Sequence, residues 1–224
     1  MCGRYVLEAP EDLSERFQLR QLAIQLPHTW NAAPTNTLPV IVEQDGEREA
    51  QLMQWGLIPR WAKPGDKKGI APINARAETL SEKPMFRNLI KRNRCLVPAN
   101  GFYEWKNLGD HKQPYYITVP DDPLFGFAGL YDTYANEQGE ETGTYTIITT
   151  EPNELMSALH TRMPVILHKE DEEEWLDPEV TDPLQVERLL VPYPADEMEA
   201  YPVSRKVGNT RNDGPDLIEP IENE

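Results

Sequence analysis

The chain opens Met1-Cys2-Gly3-Arg4-Tyr5, and a methionine ahead of so small a side chain is readily removed. Removal leaves Cys2 with a free α-amine and a thiol on adjacent carbons. An α-amine titrates near ~7.7–8.0 and a thiol near ~8.5, so both hold reactive fractions at neutral pH. With an aldehyde, the amine condenses to a Schiff base and the thiol closes it to a thiazolidine. Four further segments set polar or charged groups among residues that should be buried. In Ile73-Asn74-Ala75-Arg76-Ala77-Glu78, an extended backbone puts Asn74 and Arg76 on one face, because strand side chains alternate. In Gly101-Phe102-Tyr103-Glu104-Trp105, Glu104 shares the face of Phe102. Turned inward, its carboxyl would be desolvated and equipped as a general acid and base; an isolated strand glutamate more often faces water. His160, in Leu159-His160-Thr161-Arg162-Met163-Pro164, follows a predicted helix and brings an imidazole suited to proton transfer, although a lone histidine there is more often a cap. Trp55-Gly56-Leu57-Ile58-Pro59-Arg60-Trp61 interleaves aromatics with a base, a composition that stacks on unpaired nucleobases but more often builds core.

Bulk properties narrow the setting. With 224 residues the chain can bury a real core, and 21 prolines suit a strand- and loop-rich fold better than a helical bundle. Cys2 and Cys95 make no disulfide framework, and His28, His111, His160 and His168 are too scattered for a zinc site, so no metal is expected. The N-terminus lacks a basic and an apolar targeting region, and no apolar run approaches ~18 residues. The expected setting is the reducing cytoplasm, away from membranes. The net charge of −16 is unevenly spread. Residues 170–224 carry 17 acids and 4 bases, whereas residues 60–112 carry 12 bases and 5 acids. A local field, not the overall isoelectric point, decides whether a groove attracts phosphate.

The elements that must position these groups are mostly strands. A helix is expected over Glu8–Leu22, with Pro10 in its first turn and Leu13 and Phe17 on one face. Strands are expected at Thr37–Glu43 and Glu49–Trp55 around an Asp45-Gly46 hairpin, then at Arg94–Val97, Gly101–Trp105, Tyr115–Val119, Leu124–Tyr131 and Thr144–Thr150. Helices are expected over Ser81–Lys91, Pro152–Leu159, Lys169–Leu176 and Pro183–Leu190. The pattern reads as α+β with a strong β bias: an antiparallel, partly closed, barrel-like sheet with peripheral helices in one domain over residues 1–224. Within it, residues 170–199 form an acidic, helical, peripheral segment. No glycine-rich phosphate motif is present, so nucleotide-dependent chemistry and a cofactor are not expected.

Seven segments, in order, resemble the successive motifs of the SOS response-associated peptidase (SRAP) family. They are Met1-Cys2-Gly3-Arg4, Asn31-Ala32-Ala33-Pro34, Trp55-Gly56-Leu57-Ile58-Pro59, Ile73-Asn74-Ala75-Arg76-Ala77-Glu78-Thr79, Gly101-Phe102-Tyr103-Glu104-Trp105, His160-Thr161-Arg162-Met163-Pro164 and Val203-Ser204-Arg205-Lys206-Val207-Gly208-Asn209. The resemblance implies a DNA-damage-response protein that recognises abasic sites in single-stranded DNA. It implies a covalent crosslink to them through Cys2 and a peptidase-like release of Met1. On that basis Cys2, Asn74, Glu104 and His160 are the expected catalytic residues. His160 would open the sugar, Glu104 would shuttle protons and Asn74 would orient the sugar or the amine. Arg4, Arg76 and Arg162 would clamp phosphates, and Trp61 and Phe86 would stack on a base. A monomer that joins the nucleoid at damaged DNA is expected. An N-terminal-nucleophile amide hydrolase and a non-catalytic nucleic-acid-binding module remain the alternatives.

Overall fold

The computed structural model describes residues 2–8, 10–20, 26–62, 71–135 and 138–221. In chain order its strands are β1 (Tyr5–Leu7), β2 (Thr29–Ala32), β3 (Thr37–Gln44), β4 (Glu47–Trp55), β5 (Asn74–Arg76), β6 (Arg94–Ala99) and β7 (Gly101–Asn107). They continue as β8 (Lys112–Thr118), β9 (Phe125–Ala135), β10 (Glu141–Thr150), β11 (Met163–Pro164), β12 (Ile166–Leu167) and β13 (Glu199–Pro202). The α-helices are single turns: α1 (Leu13–Arg16), α2 (Leu89–Arg92), α3 (Glu154–Ser157), α4 (Glu172–Leu176) and α5 (Pro183–Glu187).

Strands β10, β4, β3, β6 and β9 pair in that order, and β9 pairs back onto β10, so the five close a barrel. Closure removes the exposed edges that an open sheet must otherwise protect. The expected hairpin dipeptide Asp45-Gly46 joins β3 to β4 with φ of +54° and +77°, the left-handed pair that a two-residue turn demands. A second antiparallel sheet runs β13-β8-β7-β1-β2. Period-two alternation sorts its side chains. Tyr5, Leu7, Phe102 and Ile117 face the core shared with the barrel, while Val6, Tyr103, Tyr116 and Val207 build a smaller cluster on the opposite face. Gly101 is required there, because a Cβ would sit 2.3 Å from the Tyr116 ring.

The helical expectations shorten. The first helix reduces to a 3-10 turn at Pro10–Asp12 followed by α1; Gln18, with φ of +54°, turns the chain out of helix, and residues 21–25 lie outside the described residues. Leu13 and Phe17 are nonetheless both fully buried. Over residues 81–91 only α2 is helical at its end, since Pro84 cannot donate to an i−4 carbonyl. The acidic segment packs on the outside of the barrel with Trp175, Leu176, Val186, Leu189 and Leu190 buried. Trp175 Nε1 donates to the Cys95 carbonyl at 2.9 Å. Arg94, 3% exposed, donates to the carbonyls of Ile90, Trp175 and Asp177, satisfying helix ends that would otherwise bury bare acceptors.

Candidate active site and nucleic-acid interface

Strand β10 assembles the site. Beyond Trp55, the β4 edge passes to β5, which pairs in parallel with β10 as Ile147 opposite Asn74, Ile148 opposite Ala75 and Thr149 opposite Arg76. On the other side, β11 pairs antiparallel, with Thr149 opposite Pro164. Two motifs distant in sequence, residues 73–79 and 160–164, therefore meet across Thr149. The handover from β4 is held by Gly56, whose φ of +121° is closed to most side chains, and by Trp55 Nε1 donating to the Ile73 carbonyl at 2.9 Å. Trp55 stacks on Tyr145 with centroids 6.3 Å apart, and the Tyr5 and Tyr145 hydroxyls are hydrogen-bonded at 2.8 Å beneath the site.

Strand β1 brings the N-terminus in. Tyr5 lies opposite Phe102 and Val6 opposite Gly101, and the Tyr103 N–H donates to the Arg4 carbonyl at 3.0 Å. Beyond it the chain runs on to Cys2, near enough to Glu104 for that carboxylate to act on the thiol. Cys2 is fully buried, and its Sγ lies 3.9 Å from the Arg4 carbonyl oxygen. Burial drives its thiol well above the ordinary range, and the nearby Glu104 carboxylate adds to the effect. Glu104 is 2% exposed, on the core side with Phe102, as the alternation requires. Asn74 Nδ2 donates to the Cys2 carbonyl at 2.9 Å and to the Ile73 carbonyl at 2.7 Å. Its Oδ1 is buried with no hydrogen-bond partner among the described residues. Met1 lies outside the described residues.

His160 follows α3, whose N-terminus Asn153 caps by accepting the Met156 N–H at 2.8 Å. His160 Nδ1 accepts the Arg162 main-chain N–H at 3.1 Å, which leaves Nε2 as the nitrogen that carries the proton of the neutral ring. Arg76, His160, Thr161 and Arg162 line one surface depression. Arg76 is exposed, as expected of a phosphate contact, but Arg162 is only 9% exposed. Its guanidinium forms a two-pronged pair with Glu78 and donates to the Thr149 carbonyl at 2.6 Å. Arg162 hydrogen bonding holds the Glu78 carboxyl below the usual carboxylate range.

The remaining expected contacts divide. Trp61 presents its indole to solvent, 68% exposed, on a turn fixed by Arg60, whose N–H and Nε both donate to buried Asp132. Phe86 instead is 4% exposed and belongs to the main core, so as folded it offers no ring face to a base. Its neighbourhood explains this: Leu80, Leu89 and Ile90 are apolar and buried around the same turns. Arg4 Nη1 donates to Asn31 Oδ1 and to the Val207 carbonyl, both at 3.2 Å. Asn31 Nδ2 in turn donates to the carbonyls of Val207, Asn209 and Asn212, tying the second motif to the last. Three residues without an expected role emerge: Thr149, Glu78 and Asn31. Glu78 sits in the 3-10 turn after β5, where strand alternation no longer places a side chain, and the three carbonyls that Asn31 holds are distant in sequence.

Comparison with known proteins agrees in extent and fold. Abasic site processing protein YoqW of Bacillus subtilis (strain 168) is 46% identical over 223 residues, covering 98% of this chain and 99% of that protein. Abasic site processing protein HMCES of Gallus gallus is 35% identical over 225 residues, covering 87% of this chain and 66% of that protein. A crystal structure of a protein from Bacteroides thetaiotaomicron superposes with a TM-score of 0.89 at 33% identity, covering 98% of this chain and 100% of that one. The model of the SOS response associated peptidase (SRAP) family matches residues 1–210, and the chain belongs to that family.

Proposed function

We propose that this protein processes abasic sites in single-stranded DNA by trapping their aldehyde on Cys2 after loss of Met1. The observation that carries the reading is the surrounding of Cys2. Asn74 Nδ2 holds its carbonyl, a buried carboxylate stands beside it, and Asn74 Oδ1 is a buried acceptor without a partner among the described residues. Buried acceptors are nearly always satisfied, so an open one beside a candidate nucleophile suits a ligand hydroxyl or N–H. The relatives named abasic site processing protein support the same substrate.

The chemistry balances without an oxidant or metal. Loss of Met1 is hydrolysis of the Met1–Cys2 peptide bond, one water entering. His160 moves a proton as the closed hemiacetal of the abasic sugar opens to the aldehyde. The Cys2 amine adds to C1′, and Glu104 protonates the departing hydroxyl, so that water leaves and a Schiff base remains. The Cys2 S–H then adds across the C=N bond; sulfur bonds to C1′ and its proton passes to nitrogen, closing the thiazolidine. A thiol kept protonated by burial suits this order, with the amine attacking first. Arg4, Arg76 and Arg162 hold flanking phosphates through planar, permanently charged guanidinium groups, and exposed Trp61 stacks on a neighbouring base.

The test is incubation with a single-stranded oligonucleotide carrying one abasic site, followed by denaturing electrophoresis. A denaturant-stable adduct is expected with that strand and not with an intact one. Cys2→Ala should form none, and Cys2→Ser should leave at most a Schiff base that needs reductant to survive. A normal adduct from Cys2→Ala would end the reading.

A further inference from the structure

Glu78 stands where a phosphate would be expected. It lies in the 3-10 turn Ala77–Thr79 that directly follows β5, the strand carrying Arg76. Its two oxygens accept from both terminal nitrogens of Arg162, with Nη2 to Oε2 at 2.9 Å. The same Oε2 is 3.8 Å from Arg76 Nε. One carboxylate thus sits between the two guanidinium groups of the depression that also holds His160. The side chains grade outward: Arg162 is 11% exposed, Glu78 47% and Arg76 59%. Arg162 Nε is buried with no hydrogen-bond partner among the described residues, so this guanidinium has a donor left over.

A carboxylate and a phosphodiester present the same thing to such a fork: one negative charge shared over two oxygens that accept parallel N–H bonds. We propose that Glu78 is a resident occupant of the phosphate seat. The DNA backbone enters by exchanging with its carboxylate, and Glu78 thereby sets how weakly the protein holds strands that offer no aldehyde. The inference rests on the DNA reading given above and deepens it. Exchange keeps the charge-assisted bonds of Arg162 constant, so phosphate binding there gains little net free energy. Intact strands are then released readily, and retention falls to the covalent step at Cys2. Without Glu78, two guanidinium groups would face solvent uncompensated and would hold any single strand.

The experiment measures binding of the full chain to an undamaged single-stranded oligonucleotide by fluorescence anisotropy over a salt series, alongside adduct yield on an abasic strand. Glu78→Gln keeps the shape and one acceptor for Arg162 but removes the charge. It should bind the undamaged strand about three- to tenfold more tightly, the range for one screened charge at a partly exposed site. Its plot of log K against log salt should steepen by about 0.7, one added phosphate contact. Glu78→Asp, which retreats by one methylene, should gain less. In an Arg162→Gln background the gain should shrink to about twofold or less, since the carboxylate then masks only the more distant, exposed Arg76. If Glu78 only braces Arg162, both variants lose affinity or leave it unchanged, and a wild-type chain that still forms the adduct shows that the seat alone is refuted. If the wild-type chain neither forms the adduct nor binds single strands in a salt-dependent way, the DNA reading falls with it.

Discussion

Asn74 Nδ2 donates to the main-chain carbonyl of Cys2 at 2.9 Å, although 72 positions separate them in the chain. The bond exists because β5 and β1 approach from different sheets, one set beside β10 and the other beside β7. It fixes the direction in which the α-carbon of Cys2 presents its amine and thiol. Asn74→Ala deletes this bond and the open Oδ1 together while leaving β5 backbone pairing intact. Adduct formation should slow by about 10²-fold, the scale of a small misplacement of reacting groups. Single-turnover gel kinetics measure the rate, and an unchanged melting temperature separates positioning from unfolding. A rate within twofold of wild type would remove Asn74 from the mechanism.

Burial of the Cys2 thiol fixes the sign of a pH dependence. Its pKa is raised, so the thiol is neutral through the physiological range, and the thiolate fraction climbs tenfold per pH unit with no plateau near neutrality. Alkylation of Cys2, located by peptide mass mapping, should keep accelerating from pH 6 to 9. Cys95 is raised by burial too. Both thiols bind protons more tightly folded than unfolded. Their contribution to stability is therefore complete below the unfolded value near ~8.5 and is lost as pH rises from there toward the folded value. Denaturant midpoints should fall above that pH. A plateau in Cys2 alkylation at pH 7 would contradict the burial effect.

Glu104 and His160 should separate kinetically. Glu104→Gln preserves size and burial but cannot cycle a proton, so crosslinking should slow within the ~10²–10⁴ range of general acid–base catalysis. His160 is assigned to ring opening. Its loss should matter less toward a small aldehyde that has no hemiacetal to open. Equal defects on both substrates would refute that assignment.

Much of this arrangement was legible in the chain because alternation is a local rule. Glu104 could be placed on the Phe102 side of β7, and Asn74 with Arg76 on β5, from period two alone. The barrel strands and the Asp45-Gly46 turn followed from the same kind of evidence. Long-range partners were not legible. Asn31 binds carbonyls of residues 207, 209 and 212, and nothing near Asn31 encodes them. Phe86 shows the opposite failure: an aromatic in a basic segment reads as a stacking ring, yet its neighbours bury it. The pairing of Arg162 with Glu78 was equally illegible, because it depends on β5 and β11 meeting across Thr149. The helices were overestimated where a proline or a left-handed residue ended them early.

Arg94 offers a test of stability away from the site. Its guanidinium supplies N–H groups to three carbonyls, at Ile90, Trp175 and Asp177, linking α2 and α4 to β6. Arg94→Met keeps the stem and leaves those acceptors bare, each costing ~1–3 kcal/mol where water cannot reach. The melting temperature should drop by more than 5 °C on the scale of a few kcal/mol in a domain of this size. Adduct formation at low temperature should be retained. A melting point unchanged by Arg94→Met would show that water replaces the guanidinium without loss.

The uneven charge makes the last prediction. The acids of the C-terminal quarter surround helices on the outside of the barrel, whereas Arg76 opens onto the depression beside His160. Affinity for single strands should therefore fall with salt despite a net charge of −16. Each phosphate contact contributes about −0.7 to the slope of log K against log salt, so two or three contacts give about −1.4 to −2.1. Arg76→Gln removes one exposed guanidinium and should flatten the slope by about 0.7. Arg188 is equally exposed but is paired with Glu174 on the acidic side, and Arg188→Gln should leave the slope unchanged. Equal effects from the two substitutions, or binding indifferent to salt, would put the groove on a different face of the molecule.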